Sequence, residues 1–295
     1  MKRLKIKVIF RERIAVARRE AESLKEKIRT MRAATDTSPA LESNGQFSGI
    51  PLESDPEIFT DFIRALGVQS LEFRDVLSIN TDDLVPGADL ALPTPIHAFV
   101  LVYTTTREYE AGIRAARQKA RDEGLGYAGR GEGEPVIWWE QTIRNACGMF
   151  AMLHAAANLS PVGHNFIEQD SLFAALIRDA LPLEPTERAA ALKNSDGIAQ
   201  IYNQAAHRGT SELLHAGDEV PGHYVCFAQS PKDGHIYELD GGKNGPVDHD
   251  EFLRGDRDML SGGLKLVRDF VGSRMDPAKP HFHLMALVPS DTAGV

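Results

Sequence analysis

The chain has 295 residues, 42% hydrophobic and 25% charged, with a formal net charge of −9, a balance ordinary for a globular protein of one large domain or two small ones. Its two cysteines cannot build a disulfide framework and lie in no metal-ligand spacing, which points to a reducing compartment and a cytoplasmic protein. No apolar run is long enough to span a bilayer, and the opening residues lack the apolar centre of a secretory signal. Charge is uneven: residues 1–33 hold 12 Lys/Arg against 4 Asp/Glu, and the remainder 21 against 38. An acidic body of that kind suits a basic partner, or simply keeps the protein soluble.

In chain order, residues 1–34 read as a basic helical segment with a broken apolar stripe (Leu4, Val8, Ile14, Val16, Leu24, Ile28), expected as a solvated extension rather than core. Glu12, Glu20, Glu22 and Glu26 argue against a transit peptide, and no aromatics interleave with the basic residues as nucleic-acid binding would favour. Residues 35–47 have linker composition. The expected division is therefore an extension and linker over 1–47 and a folded domain over 48–290.

That domain opens with LESDPEIFTDFIRALG, where Ser54 or Asp55 can cap a helix, Pro56 fits its first turn, and Gly67 ends it. Ile58, Phe59, Phe62, Ile63 and Leu66 form its apolar face. LEFRDVLSI and HAFVLVYTT read as strands, the second apolar on both faces over 98–103 and so central. A polar helix follows, then GYAGRGEGE, which lacks the ending and leading strand of a phosphate loop and reads as a flexible lead into VIWWEQ. Helices are expected over 148–159, 172–181, 184–192 and 198–206, and a polar loop over 207–222. HYVCFAQSPKDGHIYELDGG should form two strands, DEFLRGDRDMLSGGLKLVRDFVGSRM an amphipathic closing helix, and HFHLMALVP a last strand. The expected fold class is α/β, a mostly antiparallel central sheet flanked by helices.

The stretch with chemistry in it is QTIRNACGMF. Cys147 stands where a polar lead-in meets an apolar helix. A helix start carries partial positive charge and unpaired N–H groups, which favour a thiolate and can receive an oxyanion. Gln141, six residues earlier, offers a neutral amide to the same oxygen, with Asn145 a weaker alternative. His223 opens the first hairpin strand and Asp240 closes the second. With Ser230–Asp233 as the loop, residue 223 faces 240 and 225 faces 238, so the two side chains share a face. That is the base and orienter of a Cys-His-Asp set.

Each residue has a plainer reading. A lone cysteine is commonly a buried thiol, and Asp240 could merely begin a turn. Cys226 falls on the face opposite His223 and reads as inert core. His154 lies about 10 Å along the helix from Cys147, too far to reach it; His235 faces away and His215 lies in the loop. Asp248, His249 and Asp250 look like a metal cluster only superficially and read as solvated. Trp138 and Trp139 either wall a narrow channel or pack.

QTIRNACG running into a helix, with HYV…HIYELDGG downstream, resembles the ubiquitin C-terminal hydrolases, papain-like cysteine proteases of peptidase family C12. The likeness extends from IPLESDPEIFTDFIRALGV and LEFRDV to HFHLMALVPS, roughly residues 48–290. The resemblance implies a deubiquitinating thiol hydrolase cleaving at the C-terminal glycine of ubiquitin. Cys147 would be nucleophile, His223 base, Asp240 orienter and Gln141 oxyanion donor, with no metal or cofactor. It implies ubiquitin or a ubiquitin-like protein as partner, with no nucleic acid or membrane, and a monomer. Residues 52–55 would border the ubiquitin-binding surface. The segment 207–222 would be a loop crossing the active site, short enough to favour small or unfolded leaving groups. The SPKDG turn makes the His-to-Asp interval slightly longer than the family's usual one. A ubiquitin-binding module without catalysis and a hydrolase for another tag remain open alternatives, as does a tethering role for the basic extension.

Overall fold

In the computed structural model the described residues are 47–159, 166–209, 222–274 and 282–290. The basic extension, nearly all the linker and most of the crossing loop lie outside them. The first helix, α1 (Pro56–Leu66), starts where Asp55 accepts the N–H groups of Glu57 and Ile58, and stops at Gly67, whose left-handed φ of 102° no other residue adopts cheaply. It buries all five residues of the expected apolar face. β1 (Leu71–Asp75) follows, then a single helical turn, α2 (Thr81–Leu84), and β2 (Ala98–Thr104). Next come α3 (Arg107–Asp122), capped by Thr106, and α4 (Cys147–Ala157). Three helices follow: α5 (Leu172–Ala180), α6 (Pro185–Lys193) with a Glu184/Glu187 capping box, and α7 (Asp196–Ala206). The hairpin is β3 (Gly222–Gln229) and β4 (Ile236–Leu239), and the closing strand is β6 (Phe282–Pro289), after the two-residue β5 (Val247–Asp248).

The six strands form one sheet in the order β1-β6-β2-β3-β4-β5, and each pair is antiparallel. Alternation along β2 splits the core into two layers. Ala98 and Val100 join the layer of α1 and α4, while Phe99, Leu101 and Tyr103 join the opposite layer with Phe270 and Val267. A strand covered on both faces has no polar side to show, which is why its residues read as one apolar run.

Two expectations need correction. The hairpin pairs Cys226 with Leu239 and Phe227 with Glu238, two residues away from the expected register. The turn is longer, closed by Ser230 N–H to the His235 carbonyl at 2.8 Å. A shift of two preserves the face of every side chain. The closing segment is also not one helix. It is α8 (Asp250–Leu253), a π-helical turn (Met259–Gly263) and α9 (Leu264–Arg274). Arg254 and Gly255 both take left-handed backbone, at φ 54° and 82°, which ends α8.

Candidate active site

Cys147 is the first residue of α4 and half-buried. Unlike α1 and α3, this helix has no capping side chain: Ala146 holds the N-cap position. A missing cap costs about 1 kcal/mol and leaves first-turn N–H groups without a side-chain acceptor. The chain enters through Asn145 at φ 58°, a left-handed conformation that asparagine tolerates. Asn145 Nδ2 donates to the Gly49 carbonyl at 2.9 Å. The buried Tyr202 hydroxyl donates to the Ile50 carbonyl and, at 3.4 Å, to that of Asn145. The amide considered as a second oxyanion donor is thus engaged in holding the entry to the helix.

His223 is the second residue of β3, opposite Tyr103 of β2, whose ring meets the imidazole edge-on at 5.9 Å. His223 Nε2–H donates to Asp240 Oδ1 at 2.8 Å. Asp240 lies one residue beyond β4 and is 1% exposed. The same oxygen accepts the Gly242 N–H at 2.7 Å, and the Asp240 carbonyl accepts Trp138 Nε1–H at 3.2 Å. The imidazole and the Cys147 thiol line the same cleft. Burial alone would lower the His223 pKa; the Asp240 charge and hydrogen bond, with help from Cys147, lift it well above its ordinary value. Burial would likewise raise Asp240, but the His223 charge and hydrogen bond, the Gly242 N–H and Lys243 hold it below the usual carboxylate range.

Gln141 reaches the same place along a different strand of chain. Its backbone N–H donates to the Gly241 carbonyl at 2.8 Å, fastening it to the turn after Asp240. A Cβ on Gly241 would lie 3.1 Å from Gln141 N and 3.2 Å from the Trp139 carbonyl, so only glycine lets the two backbones meet without displacement. The Gln141 side chain donates one amide hydrogen to the Ile143 carbonyl at 3.3 Å and has a second. Gln141, Cys147, His223 and Gly242 line one cleft of about 420 Å³, with Leu52 and Arg117 also on its wall. Of the four residues singled out in sequence, Gln141, Cys147 and His223 line this cleft, and Asp240 stands behind it, bonded to His223.

The family model for "Ubiquitin carboxyl-terminal hydrolase, family 1" matches residues 50–275. The chain belongs to this family. It is 30% identical over 246 residues to a Dictyostelium discoideum protein described as "Probable ubiquitin carboxyl-terminal hydrolase", covering 82% of this chain and 89% of that one. It is 29% identical over 221 residues to "Ubiquitin carboxyl-terminal hydrolase isozyme L1" of Monodelphis domestica, covering 75% and 90% respectively. The fold is similar to that of Trichinella spiralis UCH37 bound to ubiquitin vinyl methyl ester, with a TM-score of 0.55, 19% identity and 82% of each chain covered. As a ubiquitin carboxyl-terminal hydrolase by family, the chain is a cysteine-type deubiquitinating hydrolase with the mostly antiparallel sheet of that fold.

Within this family member, Trp138 and Trp139 do not wall the cleft. Both are buried in the core and absent from the cleft lining; Trp139 N–H donates to His154 Nε2 at 3.0 Å. Burial pushes His154 down to a pKa of about 4, so it is a neutral packing residue. Cys226 is fully buried, and desolvation raises its pKa. His235 bonds Asp248 at 2.9 Å, Asp250 bonds Arg257 at 2.8 Å, and His249 approaches Glu238 at 3.3 Å. His215 lies outside the described residues. GYAGRGEGE is anchored rather than loose: Gly131 N–H donates to the Leu181 carbonyl at 2.7 Å, and Tyr127 to Glu134 at 2.9 Å. Reading the sequence missed Tyr103 behind the imidazole, Gly241 under Gln141, and the arginines of α3. Only the charged residue wedged into WWEQ hinted at the last.

Proposed function

We propose that this hydrolase cleaves amide and ester bonds at the C-terminal glycine of ubiquitin, using Cys147, His223, Asp240 and Gln141, and prefers small or unfolded leaving groups. The observation that carries the reading is the bonded Asp240–His223 pair opening on the same cleft as Cys147, which stands at an uncapped helix start. In the reaction, His223 holds the proton of Cys147, and the thiolate attacks the glycine carbonyl. The Cys147 N–H and the Gln141 amide receive the oxyanion. The intermediate collapses as His223 gives its proton to the departing amine, leaving a thioester. Neutral His223 then takes a proton from water, whose attack releases the ubiquitin carboxylate and restores the thiol. Throughout, Asp240 keeps one ring nitrogen protonated so that the other is free to exchange protons with sulfur and substrate.

The cleft of about 420 Å³ has room for a narrow peptide tail, and the leaving-group preference rests on the short segment 207–222 expected to cross it. Pro51 and Leu52 on the cleft wall support a ubiquitin-contacting role for the segment beginning there. The test compares ubiquitin carrying a small fluorogenic amide with lysine-linked diubiquitin, each against the chain and its Cys147→Ser variant. Turnover of the first substrate, much slower turnover of the second, and loss of both in the variant are expected. Retained turnover in Cys147→Ser would refute the nucleophile, and equal rates on the two substrates the preference.

A further inference from the structure

Helix α3 borders the cleft, yet among residues 108–122 no residue is fully buried. Tyr109 packs against the core at one end of it, and polar contacts fasten the rest. Near its start the Tyr109 hydroxyl meets that of Tyr103 at 3.2 Å. Near its end Arg117 and Arg121, one turn apart on the same face, both pair with Glu140, Arg117 at 3.4 Å. The Glu140 side chain is only 6% exposed, and a carboxylate so placed needs its cations. Arg117 also approaches the Gly241 carbonyl at 3.5 Å. That carbonyl already accepts the Gln141 N–H.

Two strands of chain therefore meet under one guanidinium. One carries Gln141; the other is the turn following Asp240. We propose that Arg117, seconded by Arg121 through Glu140, is a positioning residue that sets where the Gln141 amide stands relative to Cys147. This rests on the reading of Gln141 as oxyanion donor. Arg117 lies on the cleft wall, so a direct effect on substrate would appear in KM and in docking, whereas an effect passed through Gln141 appears in kcat alone. With Arg117 gone, Glu140 keeps one partner and the Gly241 carbonyl keeps the Gln141 N–H. The fold survives, but the strand loses the contact that fixes its height above the helix start.

The experiment uses the full chain with Arg117→Ala, Arg117→Lys, Gln141→Ala and the Arg117→Ala/Gln141→Ala double variant. Two readouts are taken: steady-state hydrolysis of a ubiquitin fluorogenic amide, and the labelling rate of Cys147 by ubiquitin vinyl methyl ester. Labelling is a conjugate addition that builds no oxyanion at the scissile carbonyl, so it reports substrate docking and thiolate without Gln141. In Arg117→Ala, kcat should fall roughly 10- to 100-fold, the cost of a small misplacement of a reacting group. KM and the labelling rate should stay within about threefold, a span small against that loss. Arg117→Lys should recover part of kcat, and Arg117→Ala should cost nothing further in the Gln141→Ala background. Additive losses in the double variant, or a labelling rate that falls with kcat, would overturn the proposal. An unaltered chain that neither hydrolyses nor labels would instead overturn the reading of the site itself, and the positioning role with it.

Discussion

Asp240 Oδ1 accepts hydrogen bonds from His223 and Gly242 at 2.8 and 2.7 Å, so this single atom orients the imidazole and sets its charge. Asp240→Asn keeps the shape and removes the anion that lifts His223. His223 will then lose its proton at lower pH, and the alkaline limb of the kcat/KM profile on a ubiquitin amide should move to lower pH. An unmoved limb would show that Asp240 does not govern it. The pair also links stability to pH. The contribution from the raised His223 is complete below its ordinary pKa of 6.5 and fades as pH rises through the raised value. That from the depressed Asp240 is complete above its ordinary 3.8 and fades as pH falls through the depressed value. At Asn145 the issue is backbone. Asn145→Gly should lose about 1 kcal/mol with the hydrogen bond to Gly49, and Asn145→Val roughly 1–2 kcal/mol more at φ 58°. Urea unfolding with equal midpoints for the two variants would contradict this.

Among elements, α6 does more than fill a layer. Its Arg188 is fully buried with Glu134 and donates to the carbonyls of Trp138, Ala180 and Leu183 at 2.8–3.2 Å. This holds the strand of chain that runs on to Gln141. Arg188→Ala leaves Glu134 buried without its cation and should cost about 3–5 kcal/mol in denaturant unfolding; removing both charges, as Arg188→Met with Glu134→Leu, should recover much of that. A single variant losing under 1 kcal/mol would refute the account. These elements also show what the sequence could tell. The Cys147 helix and β2 declare themselves through local apolar pattern, and His223 kept its face because the register error was even. The register itself depended on the bonds that close the turn, among them Ser230 to His235 and Gly234 to Ser230, which no pattern encodes. Arg188–Glu134 and Arg117–Glu140 join residues 54 and 23 positions apart, and each residue alone resembles an ordinary surface charge. The π turn admits only glycine at 262, where a Cβ would lie 2.3 Å from the Asp256 carbonyl oxygen, a steric fact invisible to helical periodicity.

For the whole molecule, charge decides how the partner arrives. Beyond residue 33 the chain holds 21 Lys/Arg against 38 Asp/Glu, and a field of that sign accelerates encounter with a basic protein. Raising salt from about 0.01 M to about 0.15 M shortens the screening length from ~30 Å to ~8 Å. Over that range kcat/KM for a ubiquitin amide should fall several-fold with kcat nearly constant. A salt-insensitive kcat/KM would mean that short-range fit, not the acidic body, controls association.

The two thiols, finally, turn the protein into its own gauge of intactness. Cys147 is partly open and Cys226 is fully buried on β3, and the chain has no other cysteine. A brief pulse of alkylating reagent should therefore add one adduct mass to each native copy and two to each unfolded copy. The ratio of the two peaks in a mass spectrum would give the folded fraction of any variant in the very tube where its rate was measured.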